Sequence, residues 1–296
     1  MPIQPALTVF DDSILSFLNP DFEIKTLDTT CRFSEGPVWN SDGFYLFSDI
    51  PANVIYKIAD GKKKEVYLAE SGWTPGNTRV LAEQIGSNGL AYDSAGNLFI
   101  CQHGNGAVAR YDGTFLKPHV AAFNGKPFNS PNDLVLHPDG SLFFSDPPYG
   151  LKDQKLDVEK YQPVAGFYCY RDGVLKMFTD RYKYPNGLCL SPDNKSLYTV
   201  SNKPSEAAVL EWDVATLELK REVAAENGDG IKCDRAGNLY LCNKDGLLIL
   251  NSAGKRLALI ALPTVPANCC WGGETGLDML VTARENIFLL TNLQKA

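Results

Sequence analysis

Residues 185–198 read Pro-Asn-Gly-Leu-Cys-Leu-Ser-Pro-Asp-Asn-Lys-Ser-Leu-Tyr: a polar residue, a short apolar run, a turn rich in Asp and Asn, and a second apolar run. Two apolar runs joined by such a turn are typical of a β-hairpin. The pattern occurs six times, the last time in degenerate form, with copies 39 to 54 residues apart. The other copies begin at residues 34, 87, 131, 228 and 267. This spacing predicts a repeat architecture.

Alignment of the copies on their turns places one polar residue of each copy in a single column. Every member of this column carries a side-chain oxygen. The column consists of Glu35, Asn88, Asn132, Asn186, Asp229 and Asn268. Six short antiparallel sheets predict an all-β fold, a six-bladed β-propeller with four-stranded blades. Because the first strand of each blade lines the central channel, the column is predicted to converge on the axis of the ring.

The repeats run without a linker from residue 34 to about residue 290, so one propeller domain is predicted over 1–296. The alternating segment 22–27 is predicted to complete the short last blade and close the ring. Residues 11–18 have the pattern of a short N-capped helix. Segments 71–84 and 147–163 are predicted loops, which would wall one mouth of the channel if both lie on that face. Blades are predicted at 34–69, 87–123, from 132 onward, 186–222, 229–259 and 268–290.

The composition argues against several classes of function. A net charge of -7, with no basic run longer than 62–64, argues against nucleic acid as a partner. No apolar run of 18 residues is present and the first residues lack a signal-peptide pattern, so no membrane segment is predicted. The eight cysteines form no Cys-x-x-Cys pair and several lie in apolar strands, which favours free thiols and a cytoplasmic location. A monomer or weak dimer is expected.

The column offers two carboxylates and several carboxamides, with no histidine or cysteine. Such hard oxygen donors suit Ca²⁺ or Mg²⁺ better than a thiophilic metal. Glu35 and Asp229 would repel each other in a partly dry channel unless a cation neutralises them, which favours a metal site. The alternative is that the column residues cap strand ends or bond buried water. For Asn88 and Asn268 that structural interpretation is the favoured one.

A divalent cation with open positions could polarise an ester or lactone carbonyl for attack by water. Asp229 is then the predicted general base, and direct nucleophilic attack by Asp229 is the weaker alternative. His103 follows the second strand of blade two and is a candidate hydrogen-bond donor at the mouth. It could equally be a solvated loop residue. The chain has neither a Gly-x-Ser-x-Gly elbow nor a phosphate-binding loop.

Five motifs, taken together, carry a resemblance to a known family. They are Ser-Glu-Gly-Pro-Val-Trp at 34–39, Asn-Ser-Pro-Asn-Asp-Leu at 129–134, Ser-Asp-Pro-Pro-Tyr-Gly at 145–150, Pro-Asn-Gly-Leu at 185–188 and Gly-Asp-Gly-Ile at 228–231. In this order, over nearly the whole chain, they resemble the gluconolactonase branch of the family of senescence marker protein (regucalcin) and luciferin-regenerating enzyme. The resemblance implies a six-bladed propeller that opens a sugar lactone such as gluconolactone.

The resemblance also implies one divalent cation in the channel, Ca²⁺ foremost, with Mg²⁺, Zn²⁺ and Mn²⁺ as alternatives. It places the metal ligands on Glu35, Asn186 and Asp229 and makes Asp229 the acid/base residue. Asn132 completes the metal shell or contacts substrate, and Asn88 and Tyr149 are further candidate substrate-binding residues.

Two departures concern the sugar site. Ser130 stands where animal members have arginine, and the segment 147–163 differs from their substrate loop. A metal-dependent esterase or phosphotriesterase is therefore one alternative, and a non-catalytic calcium-stabilised binding propeller is another.

Overall fold

A computed structural model of the chain describes residues 6–79 and 81–295. Their strands form six antiparallel sheets, and the first strands of neighbouring sheets contact one another in cyclic order. The predicted all-β, six-bladed propeller is therefore confirmed. Within the described ranges the helical segments are short 3-10 turns, and none is long and apolar enough to cross a membrane. These 3-10 segments are Asp12–Ser16, Lys152–Gln154 and Pro204–Glu206.

The strand boundaries follow the hairpins predicted from the repeat. Blades one and two contain Ser34–Asn40, Phe44–Asp49, Val54–Ile58, Glu65–Ala69, then Ser87–Tyr92, Leu98–Gln102, Ala107–Tyr111 and Leu116–Val120. Blades three and four contain Leu134–Leu136, Leu142–Asp146, Gly166–Arg171, Val174–Thr179, then Pro185–Leu190, Ser196–Ser201, Val209–Asp213 and Leu219–Ala224. Blades five and six contain Ile231–Cys233, Leu239–Asn243, Gly246–Leu250, Arg256–Ala261, then Asn268–Gly272, Asp278–Ala283 and Asn286–Thr291. A small hairpin, Ala122–Phe123 with Lys126–Pro127, joins blades two and three.

The amino-terminal segment closes the ring and also extends a second blade. Strand Glu23–Asp28 pairs antiparallel with Asn286–Thr291 and completes blade six, as predicted. Strand Ala6–Val9 pairs with Arg256–Ala261 and adds a fifth strand to the outer edge of blade five, beyond the four predicted. Its alternation explains the pairing, because Leu7 and Val9 pack against the core between blades five and six.

The short 3-10 segment between these two strands is the predicted capped helix. The Asp11 side chain accepts a hydrogen bond from the Ser13 backbone N–H at 2.9 Å, which caps its first turn. Ile14 and Leu18 are fully buried against the same core. The segment therefore fixes the path from blade five to blade six.

The hydrophobic core lies between adjacent blades. Second strands are buried on both faces and therefore read as nearly continuous apolar runs; every residue of Phe44–Asp49 is buried. Between blades three and four, Phe143 and Phe167 pack with Leu197 and Trp212. All eight cysteines are free, and seven of them are buried, as expected for thiols that act as small hydrophobic side chains.

Gly36, directly after the first column residue, lets blades one and two approach closely at the channel. Its φ is +53°, and a Cβ built there would lie 2.0 Å from the Asn88 backbone oxygen. A side chain would therefore meet both a backbone penalty and a steric clash. Gly187 allows a similar approach in blade four, where its N–H donates to the Asp229 carbonyl at 2.9 Å. Glycine after the column residue thus reflects the tight packing of first strands around the axis.

We expect Gly36→Ala to lower the free energy of unfolding by about 2–5 kcal/mol, the sum of a left-handed backbone cost and overpacking. Gly43→Ala is the matched control, because Gly43 has φ +88° but no atom within 4 Å of the position that a Cβ would occupy. That control should lose only about 1–2 kcal/mol. Urea unfolding of both variants measures the difference. Equal losses in the two proteins would contradict the close approach at Gly36.

Candidate active site

Five of the six column residues meet at one end of the channel. They line a polar cavity of about 140 Å³ at the start of the first strands; four of them are almost fully buried, and Asp229 is half-buried. These residues are Glu35, Asn88, Asn132, Asn186 and Asp229. The sixth, Asn268, does not line the cavity. A larger cavity of about 380 Å³ lies at the hairpin-turn end, beside Trp39 and Trp271, and holds no column residue.

Both predicted loops reach this mouth of the channel. Gln84, at the end of the first loop, and Tyr149 and Gln154, in the second, line the cavity. The two loops are joined to each other, because the Ala82 N–H donates to the Gly150 carbonyl at 3.0 Å. The loops therefore wall the column side of the ring and make its cavity small, which favours a small ligand.

A chain of side-chain amides crosses the floor of the cavity. Asn88 Nδ2 donates to Asn132 Oδ1 at 2.7 Å, and Asn132 Nδ2 donates to Asn186 Oδ1 at 2.9 Å. Asn186 Nδ2 lies 3.4 Å from the Tyr149 hydroxyl. Asn88 Oδ1 is buried and has no hydrogen-bond partner within the described residues. Since a buried acceptor without a partner is costly, this oxygen is suited to receive a hydroxyl of a bound molecule.

His103 lies behind the amide chain rather than at the rim. It is fully buried, so its interpretation as a solvated loop residue is wrong. In the strand register Gln102, not His103, occupies the position that Asp49 holds in blade one. Burial lowers the pKa of His103 to about 4, which leaves the imidazole neutral at pH 7.

The hydrogen bonds of His103 define which nitrogen carries the proton. Nδ1 lies 3.2 Å from the Gln84 carbonyl, which can only accept, so Nδ1 is the donor. In a neutral ring Nε2 is then an acceptor, and Asn88 Nδ2 lies 3.3 Å from it. In this tautomer His103 orients the amide of Asn88, which in turn donates to Asn132. Its one donor, Nδ1–H, is occupied by the Gln84 carbonyl.

Both carboxylates of the cavity have raised pKa values. Burial raises the pKa of Glu35 well above its ordinary value, and the charges of Asp229 and Asp133 raise it further. Burial also raises the pKa of Asp229, although a hydrogen bond from Asn186 partly lowers it. In the described part of the chain no Lys or Arg forms an ion pair with either carboxylate. A cation in the cavity would relieve both penalties.

A third carboxylate, Asp133, is buried and forms an ion pair with Lys232. Lys232 Nζ lies 3.4 Å from Asp133 Oδ2, and Asn268 Nδ2 donates to the same oxygen at 3.3 Å. Burial by itself lowers the pKa of Lys232, but the Asp133 carboxylate raises the pKa of Lys232 above its ordinary value. Asn268 therefore supports the channel ion pair and has the structural role favoured for it from sequence.

The donor set of the cavity fits a hard divalent cation. It combines two carboxylates with amide oxygens, which are ligands preferred by Ca²⁺ and Mg²⁺. Residues 6–79 and 81–295 contain no group of three or more His, Cys, Asp and Glu side chains arranged for a metal. A site here would therefore depend on the asparagine oxygens as well as on Glu35 and Asp229.

Sequence reasoning missed several residues at the mouth. Asn202 and Lys203 line the cavity beside Asp229. The Lys203 ammonium lies 4.4 Å above the Tyr184 ring, which in turn stacks on Tyr149. The available signal was position, because residues 202–203 follow the second strand of blade four as His103 follows that of blade two. Lys203 gives the mouth a positive charge.

A propeller whose channel mouth gathers buried carboxylates and carboxamides under two loops belongs to the class of propellers with an axial small-molecule site. The model of the SMP-30/Gluconolactonase/LRE-like region matches residues 33–285. The chain belongs to this family.

Individual relatives agree with the family assignment. The chain is 30% identical to gluconolactonase of Zymomonas mobilis subsp. mobilis, covering 95% of this chain and 84% of that protein. A solved gluconolactonase of Xanthomonas campestris superposes with a TM-score of 0.84 at 25% identity, covering 100% and 97% of the two chains. A calcium-binding regucalcin of Agrobacterium tumefaciens shares the fold, with a TM-score of 0.72 at 18% identity over 92% and 94%. The expectation of an enzyme of the lactonase class is confirmed by these relatives.

Proposed function

We propose that this protein hydrolyses a small sugar lactone, of the gluconolactone type, with one divalent cation held in the channel mouth. The observation that carries the proposal is the cavity itself, where the buried Glu35 and the half-buried Asp229 face the same space without an ion pair. The family membership and the gluconolactonase relatives support the substrate class. Ca²⁺ is the proposed metal, in view of the oxygen donors and the calcium-binding structural relative.

Glu35, Asn186 and Asp229 would hold the cation, with Asn132 completing the shell. When bound, the cation acts as a Lewis acid on the lactone carbonyl. These side chains come from blades one, three, four and five, so the site needs the assembled ring. Each ligand lies at or just before the start of a first strand.

Asp229 is the proposed acid/base residue. Its carboxylate accepts a proton from the attacking water as the new bond forms between water oxygen and the carbonyl carbon. The bond between that carbon and the ring oxygen then breaks, and the proton passes from Asp229 to the departing ring oxygen. The product is an open-chain hydroxy acid. Burial favours this role because it raises the pKa of Asp229 towards neutrality.

Substrate orientation is proposed to come from the rest of the cavity. Asn88 Oδ1, which has no protein partner among the described residues, accepts a sugar hydroxyl. The Tyr149 hydroxyl, beside Asn186, offers a donor on the opposite side. Lys203 attracts the carboxylate that forms when the ring opens. The arrangement therefore contacts the polar substituents of a sugar ring rather than an apolar chain.

The proposed function is tested by assaying the purified protein with gluconolactone and with an aryl ester, before and after removal of metal by EDTA. Rapid lactone opening that EDTA abolishes and Ca²⁺ restores is the expected result. Faster turnover of the aryl ester would instead indicate an esterase on the same scaffold. Calcium binding with no turnover of either substrate would indicate a binding propeller. Full activity in EDTA would overturn the metal-dependent mechanism.

We expect His103→Ala to lower kcat/KM by about 10–100-fold, because the amide of Asn88, which donates to Asn132, loses its support. Calcium affinity should change less, since both carboxylate ligands remain. The pH–rate profile should keep its shape between pH 6 and 8, because His103 is already neutral there. Lactone kinetics from pH 5 to 9 and calcium titration measure these quantities. Asn105→Ala, on the same loop but outside the cavity, is the control, and equal kinetics in both variants would contradict the role of His103.

A further inference from the structure

One carboxylate accepts two hydrogen bonds from the backbone that leads into the first strand of blade one. The two oxygens of Asp49 accept hydrogen bonds from two successive backbone N–H groups, Arg32 at 2.9 Å and Phe33 at 3.0 Å. Asp49 is buried, so this bidentate contact is shielded from water. These two N–H groups belong to the residues three and two positions before Glu35, the carboxylate proposed as a metal ligand.

The same contact recurs in blade three. Asp146 accepts from Asn129 N–H at 2.9 Å and from Ser130 N–H at 2.8 Å, one bond to each of its oxygens. These N–H groups again lie three and two residues before the column residue, here Asn132. Asp146 ends the second strand of its blade, as Asp49 does in blade one.

Blade four makes the contact with a different residue. Its second strand ends at Ser201, which is too short to bridge both N–H groups. Glu206, on the following 3-10 turn, accepts instead from Lys183 N–H at 2.9 Å and Tyr184 N–H at 3.2 Å. Ser201 donates its hydroxyl to Glu206 at 2.8 Å. Blade four therefore has the same contact, three and two residues before Asn186, but the carboxylate comes from a different position in the blade.

The other three blades lack this contact within the residues that the structure describes. In blade two Gln102 holds the corresponding position, and its amide donates to the Ser71 carbonyl instead. In blade five the backbone N–H of Asp229 itself donates to the Cys242 carbonyl at 2.8 Å, which fixes the position of Asp229. The carboxylate contacts therefore coincide with Glu35, Asn132 and Asn186, three of the four residues proposed to surround the cation.

We infer that Asp49, Asp146 and Glu206 are positioning residues that set the approach of Glu35, Asn132 and Asn186 to the bound cation and substrate, an inference that rests on the proposed function. A carboxylate that accepts two successive N–H groups fixes the plane of the peptide between them, through charge-assisted bonds stronger than neutral ones. That peptide is two residues from the ligand, so its orientation directs the ligand side chain. Partners that orient metal ligands in this way commonly affect affinity as strongly as activity.

The test is calcium titration of metal-free wild-type protein, Asp49→Asn, Asp146→Asn and Glu206→Gln by calorimetry, together with melting temperatures in EDTA and lactone kinetics. An amide keeps one acceptor oxygen but turns an NH₂ group towards the second N–H, so each change breaks the bidentate contact. We expect the calcium Kd of Asp49→Asn and Glu206→Gln to rise by about 10–100-fold. Asp146 supports Asn132, the middle residue of the amide chain, so we expect Asp146→Asn to lower kcat/KM by about 10–100-fold.

Asp234→Asn is the matched control. Asp234 is also buried and also accepts two backbone N–H groups, from Ala236 at 2.9 Å and Asn238 at 2.8 Å, but at the hairpin end of blade five. This variant should lose stability with a calcium Kd within about twofold of wild type. Ser201→Asp in the Glu206→Gln protein supplies a carboxylate at the register position of Asp49, and should recover part of the calcium affinity.

Variants with lowered melting temperatures but wild-type calcium Kd and kcat/KM would overturn the inference and leave the contacts a purely structural role. A double variant that regains thermal stability without regaining calcium affinity would do the same. Should one aspartate variant fail to fold, Glu206→Gln decides the matter, because Glu206 is only half-buried. Wild-type protein that neither binds Ca²⁺ nor opens a lactone would overturn the proposed function and the inference together. That result differs from failure of the inference alone, which appears only in the variants.

Discussion

Calcium-loaded Asp229→Asn is expected to lose lactone turnover by about 10²–10⁴-fold, the contribution typical of a general acid/base residue. The amide oxygen can still face the cation, whereas it cannot accept the proton of the attacking water. Because kcat is measured at saturating Ca²⁺, its loss is separate from the loss of calcium affinity that a neutral ligand also causes. Stopped-flow or pH-stat assays at saturating Ca²⁺ give kcat, and calorimetry gives Kd for the same preparation.

The control for this variant is Asp234→Asn, which replaces a buried carboxylate at the opposite end of the ring. Its kcat should match that of the wild-type protein. Wild-type turnover in Asp229→Asn with Ca²⁺ bound would remove Asp229 as the base and leave it a ligand at most. A loss of turnover that follows loss of calcium in proportion would point to the same conclusion.

The sequence predicted the ring because its repeated turn is a local signal. Each hairpin fixes its own register, and each column residue is placed by the same offset from the turn. Five of the six members, from Glu35 to Asp229, accordingly meet in one cavity. The closing strand could also be predicted, since the last repeat visibly lacked a fourth apolar run. Local patterns repeated six times were sufficient for both features.

Features that depend on contacts distant in sequence were not predictable in this way. Strand Ala6–Val9 pairs with residues near 258, and four residues with no turn beside them give little pattern. His103 is buried because Gly150, from another blade, packs against it; a Cβ on Gly150 would lie 2.9 Å from His103 Cβ. Lys203 enters the cavity because its loop turns inward, and the sequence of that loop does not encode the depth it reaches.

The positioning contacts show a further limit of the repeat. Asp49 and Asp146 share one register position, so an alignment of blades could have paired them. Glu206 performs the same contact from five residues further along the chain. Only the structure shows that three carboxylates meet three equivalent peptides, because the equivalence lies in hydrogen bonding rather than in sequence position.

Glu35→Gln is expected to weaken calcium binding by more than the roughly 10–100-fold that loss of a supporting partner costs, because a charged ligand becomes neutral. The same change should stabilise the calcium-free protein at pH 8. Burial and the charges of Asp229 and Asp133 raise the pKa of Glu35. A carboxyl whose folded pKa is raised contributes its full stability at low pH and loses it as pH rises through the folded value. Glutamine avoids that loss.

The two effects of Glu35→Gln have opposite signs, which separates a ligand from a residue that only supports the fold. Melting temperatures in EDTA at pH 5 and pH 8, with calcium titrations at pH 8, measure both effects. The melting advantage of the variant should shrink at pH 5, where the wild-type carboxyl takes up a proton. Lower stability in EDTA at pH 8 together with unchanged calcium Kd would show that Glu35 holds the fold and not the metal, and would remove the carboxylate pair on which the proposed site depends.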